Sequence, residues 1–88
     1  MKQIELKNGF KTELPDEIMN NMELVDALTE ADDEDPRAIS KICKIILGEE
    51  KRKALYDALR TEDGRVPVEA VSDAIKEVFE AFGDTGKN

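Results

Sequence analysis

Asp35-Pro36-Arg37-Ala38-Ile39-Ser40-Lys41-Ile42-Cys43-Lys44-Ile45-Ile46-Leu47-Gly48 decides the fold. Asp35 offers a side-chain acceptor at an N-cap, and Pro36 fills the first helical position, where a missing N–H costs nothing. Arg37, Lys41 and Lys44 form one narrow polar stripe, and Ile39, Ile42, Cys43, Ile45, Ile46 and Leu47 make most of the remainder apolar. A helix wet along one edge only belongs at the centre of a small core. Gly48 suits the position just past its end.

Beyond Gly48, residues 49–60 read as another helix, with Leu55 and Leu59 inward and Glu49, Lys53 and Asp57 at i,i+4 spacing outside. Thr61-Glu62-Asp63-Gly64 is a turn. A last helix is expected from about Pro67 to Phe82, with Val68, Val71, Ile75, Val78, Phe79 and Phe82 on one stripe and Gly83 stopping it. Asp84-Thr85-Gly86-Lys87-Asn88 has nothing to bury and reads as a flexible tail.

On the N-terminal side, Leu14-Pro15-Asp16-Glu17 is expected to open a helix. Ile18, Met22, Val25 and Leu28 share one of its faces, Met19 and Leu24 widen that face, and its end falls near Asp32. Residues 2–7 and 10–14 alternate apolar with polar around Asn8-Gly9, a dipeptide that tolerates φ > 0 at both turn positions. A lone hairpin is marginal in water, so Ile4, Leu6, Phe10 and Leu14 should pack on helices. The expected fold is mostly α (α+β): an N-terminal β-hairpin and a small bundle of three to four helices. Residues 1–83 form a single domain and 84–88 a tail.

Composition narrows the function. At 88 residues the chain is one domain. A domain this small buries little more than about 60% of its unfolded surface. No apolar run nears the ~20 residues of a membrane span, and the first residues carry no signal-peptide core, so a cytoplasmic protein is expected. There is no His or Trp. The commonest general base and metal ligand are therefore missing, as is the best stacking platform for bases. Net charge is −8, with +1 over residues 1–14, −9 over 15–35, +4 over 36–60 and −4 over 61–88. A generally acidic surface repels phosphate, which argues against nucleic acid. Cys43, the single cysteine, reads as a small core hydrophobe.

Several clusters invite a functional reading, and each competes with a plainer one. Asp32-Asp33-Glu34-Asp35 is acidic, but consecutive acids do not make the alternating ligands of a calcium loop. A calcium loop centred on Gly64 would place Leu59 and Ala70 at its first and last ligand positions. No nucleophile has a base beside it, so neither an enzyme nor a cofactor or metal site is expected. Binding surfaces remain. Met19, Met22 and Leu24 exceed what a narrow core stripe requires and suit an adaptable apolar contact, with core filling as the alternative. Arg37, Lys41 and Lys44, with Lys51-Arg52-Lys53, either dock an acidic partner or pair internally with the acidic first helix.

Leu55-Tyr56-Asp57-Ala58-Leu59-Arg60-Thr61-Glu62-Asp63-Gly64-Arg65-Val66-Pro67-Val68-Glu69-Ala70-Val71, the later Phe79-Glu80-Ala81-Phe82-Gly83 and the ending Gly86-Lys87-Asn88 carry a resemblance. So do the Asn8-Gly9 hairpin, Met22-Glu23-Leu24 and Asp35-Pro36. Together these segments span nearly the whole chain, which resembles the tail assembly chaperones of siphophages and prophages of Gram-positive bacteria. The resemblance implies a protein that coats the long, helical, apolar tape measure protein before the tail tube polymerises, and that is absent from the mature virion. It also implies a second, longer form made by programmed frameshifting, whose extra domain recruits the tail tube protein. The codons GGA-AAA-AAC, which contain a slippery heptamer, would encode Gly86-Lys87-Asn88. Self-association is compatible with this picture. Two rival readings are an acidic inhibitor that mimics DNA, built on residues 15–35, and a small virion structural adaptor.

Overall fold

A computed structural model describes residues 1–30 and 35–86. Strands β1 (Lys2–Glu5) and β2 (Lys11–Leu14) pair antiparallel and are followed by α1 (Met22–Glu30), α2 (Pro36–Leu59) and α3 (Val68–Gly86). This is the expected hairpin on a helical bundle. Among the described residues the helices number three or four, depending on whether the break inside α2 is counted.

The hairpin turn differs from expectation. Gly9 alone has positive φ (95°), and Asn8 does not. Gly9 N–H donates to Leu6 C=O at 2.9 Å and Leu6 N–H to Phe10 C=O at 2.8 Å. That pattern is a three-residue loop, a type I turn closed by a left-handed glycine, in place of a two-residue turn. Asn8 contributes its side chain, whose Oδ1 accepts the Phe10 N–H at 2.8 Å. The alternation holds: Ile4, Leu6 and Leu14 are buried and Phe10 packs against the core.

α1 starts at Met22 rather than at Pro15. Residues 15–20 form successive turns, with Ile18 N–H on Pro15 C=O (3.1 Å) and Asn20 N–H on Glu17 C=O (2.9 Å). Asn21 then caps the helix, its Oδ1 accepting from Glu23 N–H at 2.9 Å. The expected inner face is also overturned. Leu24 and Ala27 are buried, whereas Met22, Val25 and Leu28 are exposed. The expected end near Asp32 and the cluster Asp32-Asp33-Glu34 lie outside the described residues.

α2 is the central element, as its one-edged polarity predicts. Asp35 Oδ1 accepts Arg37 N–H at 2.9 Å at its N-terminus, and Ile42, Cys43, Ile46, Leu47 and Leu55 are buried. Gly48 interrupts it with φ 74° and ψ −171°, a backbone state essentially confined to glycine, and the chain resumes as a helix to Leu59. Core side chains at most 1% exposed come from β2 (Leu14), α1 (Leu24, Ala27) and both halves of α2 (Cys43, Leu55), so α2 is the hub.

α3 buries Val71, Ala74, Ile75, Val78 and Phe82, close to the expected stripe. Val68, expected on that stripe, is exposed at the helix start. The helix also continues through Gly83 to Gly86, and Lys87 and Asn88 lie outside the described residues. One helical glycine costs about 1 kcal/mol relative to alanine, too little to end a helix that tertiary packing holds.

The hairpin is tied down at its turn and at the β2 edge. Glu77 Oε1 of α3 accepts the Lys7 N–H at 2.8 Å, and Lys51 Nζ of α2 donates to Glu13 C=O. Lys2 Nζ also sits 5.7 Å from the Phe82 ring centre. Side chains on edge backbone groups blunt strand-to-strand aggregation.

Cys43 is fully buried, and burial pushes its thiol up to about 11 from 9.0, an effect the Arg52 charge and a hydrogen bond from Tyr56 partly offset. Because the folded pKa exceeds the unfolded one, the protonated thiol's stabilisation is complete below pH 9.0 and lost as pH rises through about 11. The full effect is roughly 2–3 kcal/mol. Urea titrations at pH 8 and above 10 should show a steeper alkaline loss for the wild type than for Cys43→Ala.

Candidate protein-binding surface

Among the described residues the exposed large hydrophobics are Met1, Met22, Val25, Leu28 and Val68, with Met22 at 70%. Three of these five belong to α1, which is nine residues long. Leu24 and Ala27 are the buried side of the helix, which packs on α2. The i, i+3, i+6 spacing keeps Met22, Val25 and Leu28 on the outward half. Isolated exposed apolar residues are ordinary, whereas several together on one short element mark an interaction surface.

The six residues expected to bind a partner separate into different roles. Met22 is on the outward strip. Met19 is half-buried and packs on the core beside Ile18. Leu24, at 1% exposed, is a core residue and not part of the exposed surface, a correction to the sequence reading.

Arg37, Lys41 and Lys44 lie exposed along α2 as expected. Arg37 places Nε 3.5 Å from Asp35 Oδ1. Lys41 and Lys44 line a cleft of about 330 Å³ with Glu23 and Asp26 of α1 and with Ile45. The basic stripe of α2 thus borders the same cleft as the acidic flank of α1. Lys51 and Arg52 serve the fold. Lys51 holds the hairpin edge, and Arg52 donates to Glu49 Oε1 at 2.9 Å while its guanidinium lies 5.5 Å from the Tyr56 ring centre.

Periodicity assigns Val25 and Leu28 inward, and they belong outward. The overlooked signal is Asn20-Asn21: an asparagine cap before Met22 starts the helix after Ile18 and takes Ile18 off the Met22/Val25/Leu28 face. A second feature the sequence does not suggest is a small apolar hollow of about 130 Å³ lined by Pro36, Ile39, Tyr56, Val66, Val68 and Val71, with Ser40 at its side. A cavity of that size holds one apolar side chain. A wider groove of about 670 Å³ runs along the hairpin, where Ile4 is joined by Gln3, Glu5, Lys11, Thr12, Glu13 and by Lys51 of α2.

The turn between α2 and α3 is hydrogen-bonded within itself. Thr61 N–H donates to Arg65 C=O at 2.7 Å, Gly64 N–H to Thr61 C=O at 3.0 Å, and Arg60 Nη1 to Gly64 C=O at 2.9 Å. Asp63 accepts from the Thr61 hydroxyl and from Arg65 Nε, and these bonds hold its carboxyl below the usual range. Its oxygens are engaged by donors of its own turn. Among the described residues no group of three His, Cys, Asp or Glu side chains converges as metal ligands, and no helix is long and apolar enough to cross a membrane. No family model matches the chain, nor does any curated protein or solved structure.

Proposed function

We propose that this chain is a phage tail assembly chaperone that binds the tape measure protein and shields it until the tail tube forms. The observation that carries the reading is the outward apolar strip Met22/Val25/Leu28 on a chain of net charge −8. Together with the sequence resemblance, it supplies what a stoichiometric shield needs: an apolar contact for apolar helix and an acidic exterior that keeps the assembly dissolved. The protein acts in the bacterial cytoplasm and does not persist in the virion. A longer frameshifted form would bring in the tail tube protein.

Deleting the reading frame from its phage or prophage tests this. The expected outcome is tailless particles and insoluble tape measure protein, both restored by the wild-type chain and not by Met22→Ser/Val25→Ser/Leu28→Ser. Normal tails after deletion would overturn the proposal. Met19 is left out of the variant because its side chain packs on the core.

A further inference from the structure

We infer that the α1 surface selects a basic amphipathic helix, one whose apolar stripe is bordered by Lys or Arg. The inference rests on the reading of α1 as the partner-binding surface and adds the chemistry of the segment it takes. Residues 15–30 carry Asp16, Glu17, Glu23, Asp26 and Glu30 and neither Lys nor Arg. On α1 itself Glu23 and Asp26 are exposed and alternate with the apolar strip. The cations that line the same cleft, Lys41 and Lys44, lie across it on α2. The outward half of α1 therefore presents methionine, valine, leucine and carboxylates with no cation of its own.

An apolar helical strip engages a partner helix through residues at i, i+3, i+4 and i+7. A helix with acidic borders would set like charges against Glu23 and Asp26, whereas one with basic borders would pair with them. Exposed pairs are individually weak, but two or three of them together separate the two partners by about tenfold or more. Nine helical residues span only about 14 Å, so one contact covers two to three turns and is weak alone. Several copies along a long helix would each read the same local pattern.

The test uses three synthetic helical peptides with one common Leu/Ile stripe and borders of Lys, Glu or Ser, titrated into the intact chain by fluorescence anisotropy. The Lys-bordered peptide should bind about tenfold or more tighter than the Glu-bordered one, and the gap should shrink in about 0.5 M salt. Glu23→Gln/Asp26→Asn should narrow the gap with helicity unchanged, and Met22→Ser/Val25→Ser/Leu28→Ser should weaken all three peptides. Equal affinity for the three peptides, no binding to any, or indifference to both variants would overturn the inference. If the Lys-bordered peptide binds but tape measure protein is never captured, the proposed function fails and this inference stands. If tape measure protein is captured with no preference among the peptides, the inference fails and the proposed function stands.

Discussion

Leu24→Ala should cost the domain about 2–5 kcal/mol, while Met22→Ala, two residues away on the same helix, should change stability by less than about 0.5 kcal/mol. Leu24 is 1% exposed in the core cluster, and Met22 is 70% exposed. Deleting three buried carbons removes their transfer energy and leaves a cavity that the helices around it only partly close. A domain of this size has about 5–10 kcal/mol in all, so Leu24→Ala would unfold at much lower urea, with an unchanged slope. The binding readout should run the other way: Met22→Ser weakens partner capture at full stability. Equal destabilisation by the two substitutions would mean that α1 is rotated from the orientation described.

Gly48→Ala gives the second large effect, and its sign is diagnostic. In an uninterrupted helix, replacing glycine by alanine stabilises by about 1 kcal/mol. At φ 74° and ψ −171° the same change should instead cost about 1–3 kcal/mol. A Cβ at this position would meet nothing within 4 Å, so the penalty belongs to the backbone and not to a clash. Thermal or urea unfolding measures it. A more stable Gly48→Ala would show that residues 36–59 prefer one straight helix, and the separate orientations of the two halves would have to be abandoned.

The parts of the fold legible in the sequence are those where local chemistry and tertiary packing agree. Asp35-Pro36 at the start of α2, the break at Gly48 and the alternation of Ile4, Leu6 and Leu14 each follow from a side-chain acceptor, a backbone angle or a two-residue period. The stripe Val71, Ile75, Val78, Phe82 is equally plain, because four apolar residues on one face of a long helix leave little choice of orientation. Gly83 misleads because its propensity cost, near 1 kcal/mol, is visible in the sequence while the packing that carries α3 past it is not.

α1 is harder for a physical reason. Ile18, Met22, Val25 and Leu28 make a complete helical face on paper, and Leu24 and Ala27 make a smaller one on the opposite side. Periodicity ranks the first higher because its residues are larger. Packing buries the second, and Asn21 begins the helix too late for Ile18 to join the first. Of the candidate partner residues on α1, Met22 is exposed and Leu24 is buried. The strip's outward placement is invisible to a rule that sends every apolar face inward, and it now supports the proposed function.

If α1 shields tape measure protein, the decisive experiment is co-expression of this chain with the tape measure protein of its own phage or prophage, followed by separation of soluble from aggregated material. Tape measure protein should then be soluble, co-purify with several copies of the chain and stay bound in high salt through its apolar contacts. Met22→Ser/Val25→Ser/Leu28→Ser should return it to the aggregate. Tape measure protein that aggregates regardless of the chain, or dissolves equally well with the triple-serine variant, would contradict a shielding role for α1.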